Sequence, residues 1–303
     1  QRRGYPDAIA IGSLAGAGTL GLLIPPSIIM IVYGVAAEVS IAQLFMAGIL
    51  PGLLLAGLFS GYLVVWALRH PRLVPPADTQ LRLAQKLHES RHLIPIVLLI
   101  VAVLGSIYTG IATATEAAAV GVVGALALSA AQGSLSWQTF KDSLLGGTRL
   151  YCMIALILAG AAFLTLSMGY IGLPRHLAEW IGSLGLSQWQ LLLALAAFFV
   201  VLGCFLDGIS MVVLTIGVVM PTVVKAGIDP LWFGIFVVLV VEMAQITPPV
   251  GFNLFVLQGM TGREIGWIAR VTMPFFWCMA AAIVLVTVFP AIVTVLPQTV
   301  MAR

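Results

Sequence analysis

Glu242 to Asn253 reads EMAQITPPVGFN and interrupts an otherwise apolar run from Leu231 to Gln258 near its middle. Proline has no backbone N–H to give, and a second proline bars the residue before it from the helical conformation. Pro248 and Pro249 therefore strip carbonyls near Gln245 to Thr247 of their intrahelical partners. In hydrocarbon this is costly unless the break is buried in protein or lines a watery cavity, where freed carbonyls and helix ends serve as ligands for ions and solutes. The stretch predicts a binding site near mid-membrane.

The surroundings fit. Of 303 residues, 61% are hydrophobic and 8% charged, with a mean hydropathy of +1.13, whereas soluble domains carry roughly 25% charge. Several runs exceed the ~20 apolar residues that a helix needs to cross ~30 Å of hydrocarbon, and none shows the alternation of a membrane barrel. The fold class is thus an all-α polytopic membrane protein. The net charge of +3 says little by itself. Cys152, Cys204 and Cys278 sit in apolar runs without CxxC spacing and read as packing residues.

Residues 7 to 37 form a second broken span, with GAGTLG at 16 to 21 followed by Pro25 and Pro26. Continuous spans are expected at 41 to 68, 93 to 108, 113 to 131, 146 to 168 and 265 to 295. The polar segment 69 to 91 is a linker on the cytoplasmic side, and its part from 78 onward is either a surface helix or a solvated connector. Thr113 and Glu116 have the spacing of a capping box. Residues 171 to 185, with Arg175, His176 and Glu179, are too charged to cross and suit an interfacial helix. The run 188 to 224 is interrupted by CFLDG at 204 to 208, leaving two short arms. A re-entrant hairpin with Asp207 at its tip is the reading, and two full spans the alternative.

With this topology eleven of the 14 Lys and Arg residues fall on one side, and only Arg175, Lys225 and Arg303 on the other. That is the bias expected of the cytoplasmic face. Sliding the chain by 223 positions lays Pro25 and Pro26 on Pro248 and Pro249, Pro51 on Pro274, and Gly4 on Gly227. Five crossings and a hairpin lie between equivalent points, so the second copy is inverted. Residues 1 to 68 would hold the first repeat's broken helix and following span. Residues 92 to 303 would hold scaffold spans, the hairpin 188 to 224, the broken helix 231 to 258 and the last span. Inverted repeats that each contain a broken helix are a design of secondary transporters.

Three stretches, GAGTLGLLIPPSIIMIVYGVAAEVSIAQLFMAGILPG, TATEAAAVG, and the run from LDGISMVVLTIGVVMPTVV through EMAQITPPVGFNLFVLQG, closely resemble the large membrane subunit of TRAP transporters, the tripartite ATP-independent periplasmic family. The likeness runs through essentially the whole chain. It implies sodium-coupled uptake of an organic acid across the bacterial inner membrane by an elevator-like domain built from two hairpins and two broken helices. It also implies a small membrane subunit and a periplasmic binding protein that delivers a carboxylate substrate, with sodium as coupling ion and no other cofactor. The first hairpin of such subunits would precede Gln1.

Carried over by position, one sodium site lies around Gly16, Gly18, Thr19, Pro25, Pro26 and Ser27. A second lies between Asp207 and Gly208 of the hairpin tip and Gln245, Thr247 and Pro248. Ser210, Pro249, Gly251 and Asn253 are assigned to the substrate. Sodium is a hard cation, and carbonyls, hydroxyls, Gln245 and Asp207 offer the oxygen ligands that it prefers.

Each residue also has a plainer reading. Asp207 could simply cap a helix on Ser210 or Met211, the glycines could be packing points, and Asn253 could bond a neighbouring helix. Glu242 could ligate an ion or brace the broken helix. Rival functions are a single-component anion carrier, an intramembrane aspartyl protease using Asp207 and Glu242, and a passive scaffold subunit; the protease leaves the repeat unexplained.

Overall fold

The computed structural model describes residues 4–75, 90, 93–249 and 251–301. Among these the chain forms thirteen α-helices and no strand. In order they are α1 (Asp7–Leu23), α2 (Ile28–Ala36), α3 (Ile41–Arg69), α4 (Ile94–Tyr108), α5 (Ala114–Ala131), α6 (Trp137–Ile171), α7 (Leu173–Ser183), α8 (Gln188–Gly203), α9 (Gly208–Lys225), α10 (Pro230–Gln245), α11 (Phe252–Thr261), α12 (Ile265–Val288) and α13 (Ala291–Met301).

Five of them, α3, α5, α6, α9 and α12, are long and apolar enough to cross a membrane. The pair α1 and α2, bent by 42° at their break, makes a sixth candidate. This is a polytopic helical membrane protein. The chain divides into two compact units, Gln1–Pro75 with Ile157–Arg303, and Pro76–Leu156.

In the smaller unit α4 packs on α5. Thr113 and Glu116 form the capping box that starts α5, with Thr113 N–H donating to Glu116 Oε2 at 2.8 Å. Leu98, Val122 and Val123 point outward, an arrangement suited to a hydrocarbon surround.

In the larger unit α10 is the centre, for every side chain from Trp232 to Gln245 is buried. Around it stand α1, α2, α3, α8, α9, α11, α12 and α13. Asp229 caps it through the Leu231 N–H at 2.8 Å, and Pro230 occupies the first turn, where a missing N–H does no harm. Tyr33 Oη of α2 donates to the Pro230 carbonyl at 2.6 Å, and Trp232 Nε1 to Val286 of α12 at 3.3 Å. The second halves of the broken helices cross over: α2 packs on α10, and α11 packs on α1. At the α11 end an ion pair joins Arg263 to Asp7 at 2.6 Å.

Several boundaries depart from expectation. Helix α6 begins at Trp137 rather than 146, because its polar first turns continue a helix whose 35 residues span about 52 Å at 1.5 Å per residue, well beyond the hydrocarbon. The last span stops at Val288 and resumes at Ala291, since Pro290 cannot continue the ladder. The arms of the 188 to 224 segment are unequal, 16 residues in α8 and 18 in α9, and α9 is by itself long and apolar enough to cross a membrane, so the two short arms expected of a re-entrant hairpin are not both found. The surface helix or connector expected from 78 onward falls outside the described residues, Ser90 apart.

Candidate functional site

Helix α10 ends because Pro248 and Pro249 stand where the N–H partners of the Ala244 and Gln245 carbonyls would be. The Ala244 carbonyl is recovered by the Thr247 N–H at 3.0 Å, and the Thr247 hydroxyl donates to Met243 at 2.7 Å. The Gln245 carbonyl gains no such replacement among the described residues. Gly251 then turns the chain at φ 42°, so close that a β-carbon there would lie 2.7 Å from the Thr247 carbonyl oxygen and 2.9 Å from that of Gln245. Two carbonyl oxygens thus converge beside a backbone that only glycine can supply.

The first break solves the same problem with a side chain. Pro25 and Pro26 leave the Gly21 and Leu22 carbonyls without donors, and the buried Ser27 hydroxyl donates to Leu22. Ser27 also caps α2 through the Met30 N–H at 3.4 Å. Thr19, fully buried, donates to the Gly16 carbonyl at 2.7 Å. Each hydroxyl has spent its proton on the backbone and keeps oxygen lone pairs to offer. Both Pro–Pro bonds, 25–26 and 248–249, are cis.

The turn between α8 and α9 supplies the third wall. Asp207 caps α9, its Oδ2 accepting from the Ile209 and Ser210 amides at 3.2 Å each. At Gly208 a β-carbon would overlap Nε2 of Gln245 and lie 2.8 Å from both Ile29 and Val241. The start of α9 therefore touches the end of α10 and, through Ile29, the start of α2. Two further contacts fasten it. A β-carbon at Gly203 would overlap Ala244, and the Cys204 sulfur stands 3.2 Å from both the Pro248 carbonyl and the Val200 carbonyl of its own helix, either of which can take its one proton.

Gly208, Gln245, Thr247, Pro248 and Gly251 are thus brought into one neighbourhood, with Ser210 and Asp207 on its hairpin side. Pro249 is exposed, and Asn253 on α11 has a buried amide nitrogen with no hydrogen-bond partner. The first-break residues are less uniform. Thr19 and Ser27 are buried. Gly16 lies against Phe275 of α12, where a β-carbon would come within 2.6 Å of the ring, and Gly18 is exposed with nothing within 4 Å. Cys204 and Ile29 were not read from the sequence as site residues. The position of Cys204 at the opening of CFLDG was the available signal; Ile29 gave none.

Among the described residues no group of three or more His, Cys, Asp or Glu side chains is placed to hold a metal ion. Any cation at the breaks would rest on carbonyls, hydroxyls, Gln245 and single carboxylates. Proline-broken helices within a membrane bundle are a recurrent feature of transporters. The chain belongs to the family described as tripartite ATP-independent periplasmic transporter, DctM component, whose sequence model matches residues 1–292.

Among curated relatives, it is 36% identical over 298 residues to the C4-dicarboxylate TRAP transporter large permease protein DctM of Pseudomonas aeruginosa, covering 98% of this chain and 69% of that protein. It is 33% identical over 296 residues to the ectoine/5-hydroxyectoine large permease UehC of Ruegeria pomeroyi, covering 96% and 68%. It is 31% identical over 294 residues to the isethionate permease DctMQ of Oleidesulfovibrio alaskensis, covering 96% and 46%. The family is one of transporters and not of enzymes.

Proposed function

We propose that this chain is the large permease of a sodium-coupled secondary transporter that takes up an organic acid across the bacterial inner membrane. A periplasmic binding protein delivers the substrate, and a small membrane subunit completes the assembly. The observation that carries the reading is the meeting of the hairpin tip with both broken helices at Gly208, Gln245 and Ile29. A cation held between freed carbonyls of a break and the hairpin would tie the closure of that hairpin to ion binding. The relatives' names support the substrate class: C4-dicarboxylate, isethionate and ectoine all carry an acidic group.

Two sodium sites are assigned, at Gly16, Gly18, Thr19, Pro25, Pro26 and Ser27, and at Asp207, Gly208, Gln245, Thr247 and Pro248. Gly18, exposed and without close neighbours, is the weakest member of the first set. Substrate falls to Ser210, Pro249, Gly251 and Asn253, of which Asn253 has the unused donor an acid group needs. Sodium in excess of substrate charge would let the membrane potential drive accumulation, at ~2.3 kcal/mol per charge per 100 mV.

The chain is read as two inverted repeats, residues 1 to 68 and 92 to 303 around a linker, that move substrate in elevator fashion. What supports the repeat is reciprocal packing. Exchanging α1, α2 and α3 for α10, α11 and α12 maps α1–α12 onto α10–α3, and α2–α10 onto α11–α1, and all four pairs are in contact.

The test is uptake into proteoliposomes that hold the assembled transporter, with the binding protein and an inward sodium gradient each added or omitted. Uptake that needs both is the expected result. Uptake of free substrate without the binding protein would overturn the tripartite reading and favour a single-component carrier.

A further inference from the structure

Glu242 stands apart from every other charged side chain described in this protein. It is 0% exposed, and neither carboxyl oxygen has a hydrogen-bond partner. It lies one turn before Gln245 on α10. Val241 and Gln245 of that helix face Gly208, whereas Trp232 faces α12 through its bond to Val286. At ~100° per residue, Glu242 falls on the arc between these two faces.

Nothing on the elements around α10 answers its charge. The charged or titratable groups on those helices and at their caps are Asp7, Tyr33, Tyr62, Arg69, His70, Cys204, Asp207, Lys225, Asp229, Glu264, Arg270 and Cys278. Six of them are engaged elsewhere: Asp7 with Arg263, Tyr33 with Pro230, His70 with Trp66, Cys204 with Val200 or Pro248, and Asp207 and Asp229 each with its own helix start. None of the twelve forms a hydrogen bond or ion pair with Glu242, and α11 and α13 carry no such group among their described residues. A bare carboxylate is not sustained in a dry interior; it persists there where a cation neutralises it. Ionisable groups inside membrane helices mark ion pathways and proton relays. The two cation sites assigned at the breaks make no use of Glu242.

We propose that Glu242 is a monovalent-cation site of its own, distinct from the two ligand sets at the breaks, which takes up and releases one cation in each transport cycle. A sodium ion would bind to the carboxylate oxygens. A proton would come from water, form an O–H bond on one of those oxygens, and return to water when the carboxylate is re-exposed. The inference rests on the reading of the chain as a coupled transporter.

The experiment compares the wild-type assembly with Glu242→Gln in proteoliposomes supplied with the binding protein and its substrate. It reads radioactive sodium taken up per substrate, internal pH from an enclosed dye, and charge moved per substrate. Glu242→Gln keeps the shape and removes the charge, so it is expected to carry one cation fewer per substrate. A drop in the sodium ratio identifies sodium, and loss of a substrate-driven pH change identifies the proton.

Unchanged sodium, proton and charge ratios in an active Glu242→Gln assembly overturn the proposal. If the variant does not assemble, infrared difference spectra of wild-type protein labelled with carbon-13 glutamate decide: a buried carboxyl band must respond to added sodium or to pH, and a band that responds to neither overturns it. Wild-type uptake with no cation dependence would instead overturn the coupling reading itself, so the two failures are distinguishable.

Discussion

A β-carbon placed on Gly208 would overlap Nε2 of Gln245, so the start of α9 and the end of α10 meet with no space for a side chain between them. The same position lies against Ile29 and Val241, which makes it the point where three separate stretches of the chain are held together. Gly208→Ala must push at least one of them away. Overpacking of this kind costs about 1–3 kcal/mol, so sodium-dependent uptake is expected to weaken roughly tenfold or more while the assembly still forms. Uptake by Gly208→Ala within twofold of wild type would show that the contact is not needed for transport.

Thr247 offers a hydroxyl and a carbonyl at the second break, its hydroxyl proton already given to Met243 at 2.7 Å. Thr247→Val keeps the shape and deletes the hydroxyl oxygen. The sodium concentration for half-maximal uptake is expected to rise several-fold, with the maximal rate much less affected. A sodium titration of uptake checks this, and an unshifted midpoint removes Thr247 from the ligand set.

The Cys204 sulfur, between α8 and α9, lies 3.2 Å from the Pro248 carbonyl, the same distance as from Val200 of its own helix, and a bond to Pro248 would join that turn to the second break. Thiol hydrogen bonds are weak, on the order of 0.5–1 kcal/mol, so Cys204→Ala is expected to lower uptake only about two- to fivefold. Cys204→Ser restores a donor of similar size and should recover most of the loss. Equal activity of the alanine and serine variants would mean that the bond is incidental.

Tyr33 ties α2 to the first turn of α10 by a 2.6 Å bond to the Pro230 carbonyl, and its ring is fully buried. Tyr33→Phe keeps the ring and leaves a carbonyl short of a donor, a loss of about 1 kcal/mol. The melting temperature of the purified protein in detergent is the appropriate readout, and a fall of roughly 2–4 °C is expected. An unchanged melting temperature would mean that the bond contributes nothing to stability.

Much of this layout was legible in the residues, and for identifiable reasons. Proline cannot donate, so Pro25, Pro26, Pro248 and Pro249 announce breaks whatever surrounds them. Asp207 followed by Gly208 announces a turn and a helix start, and the structure gives Asp207 the capping bond from Ser210 that the plainer reading allowed, with a second from Ile209 rather than Met211. What escaped was whatever depends on distant packing. Ile29 is an ordinary apolar residue until Gly208 is laid against it, and Gly16 and Gly18 look alike in GAGTLG although one faces Phe275 and the other faces open space. The polar first turns of α6 hid its true start, because hydropathy finds the membrane and not the helix.

The central claim is that the hairpin tip and the second break hold a coupling sodium ion between them. The most direct test is a sodium titration of substrate uptake in proteoliposomes, wild type against Asp207→Ala combined with Thr247→Ala. Saturable sodium dependence in the wild type, abolished in the double variant although the protein is present in equal amount, is the expected result. Undiminished uptake by the double variant with the same sodium midpoint would contradict the account.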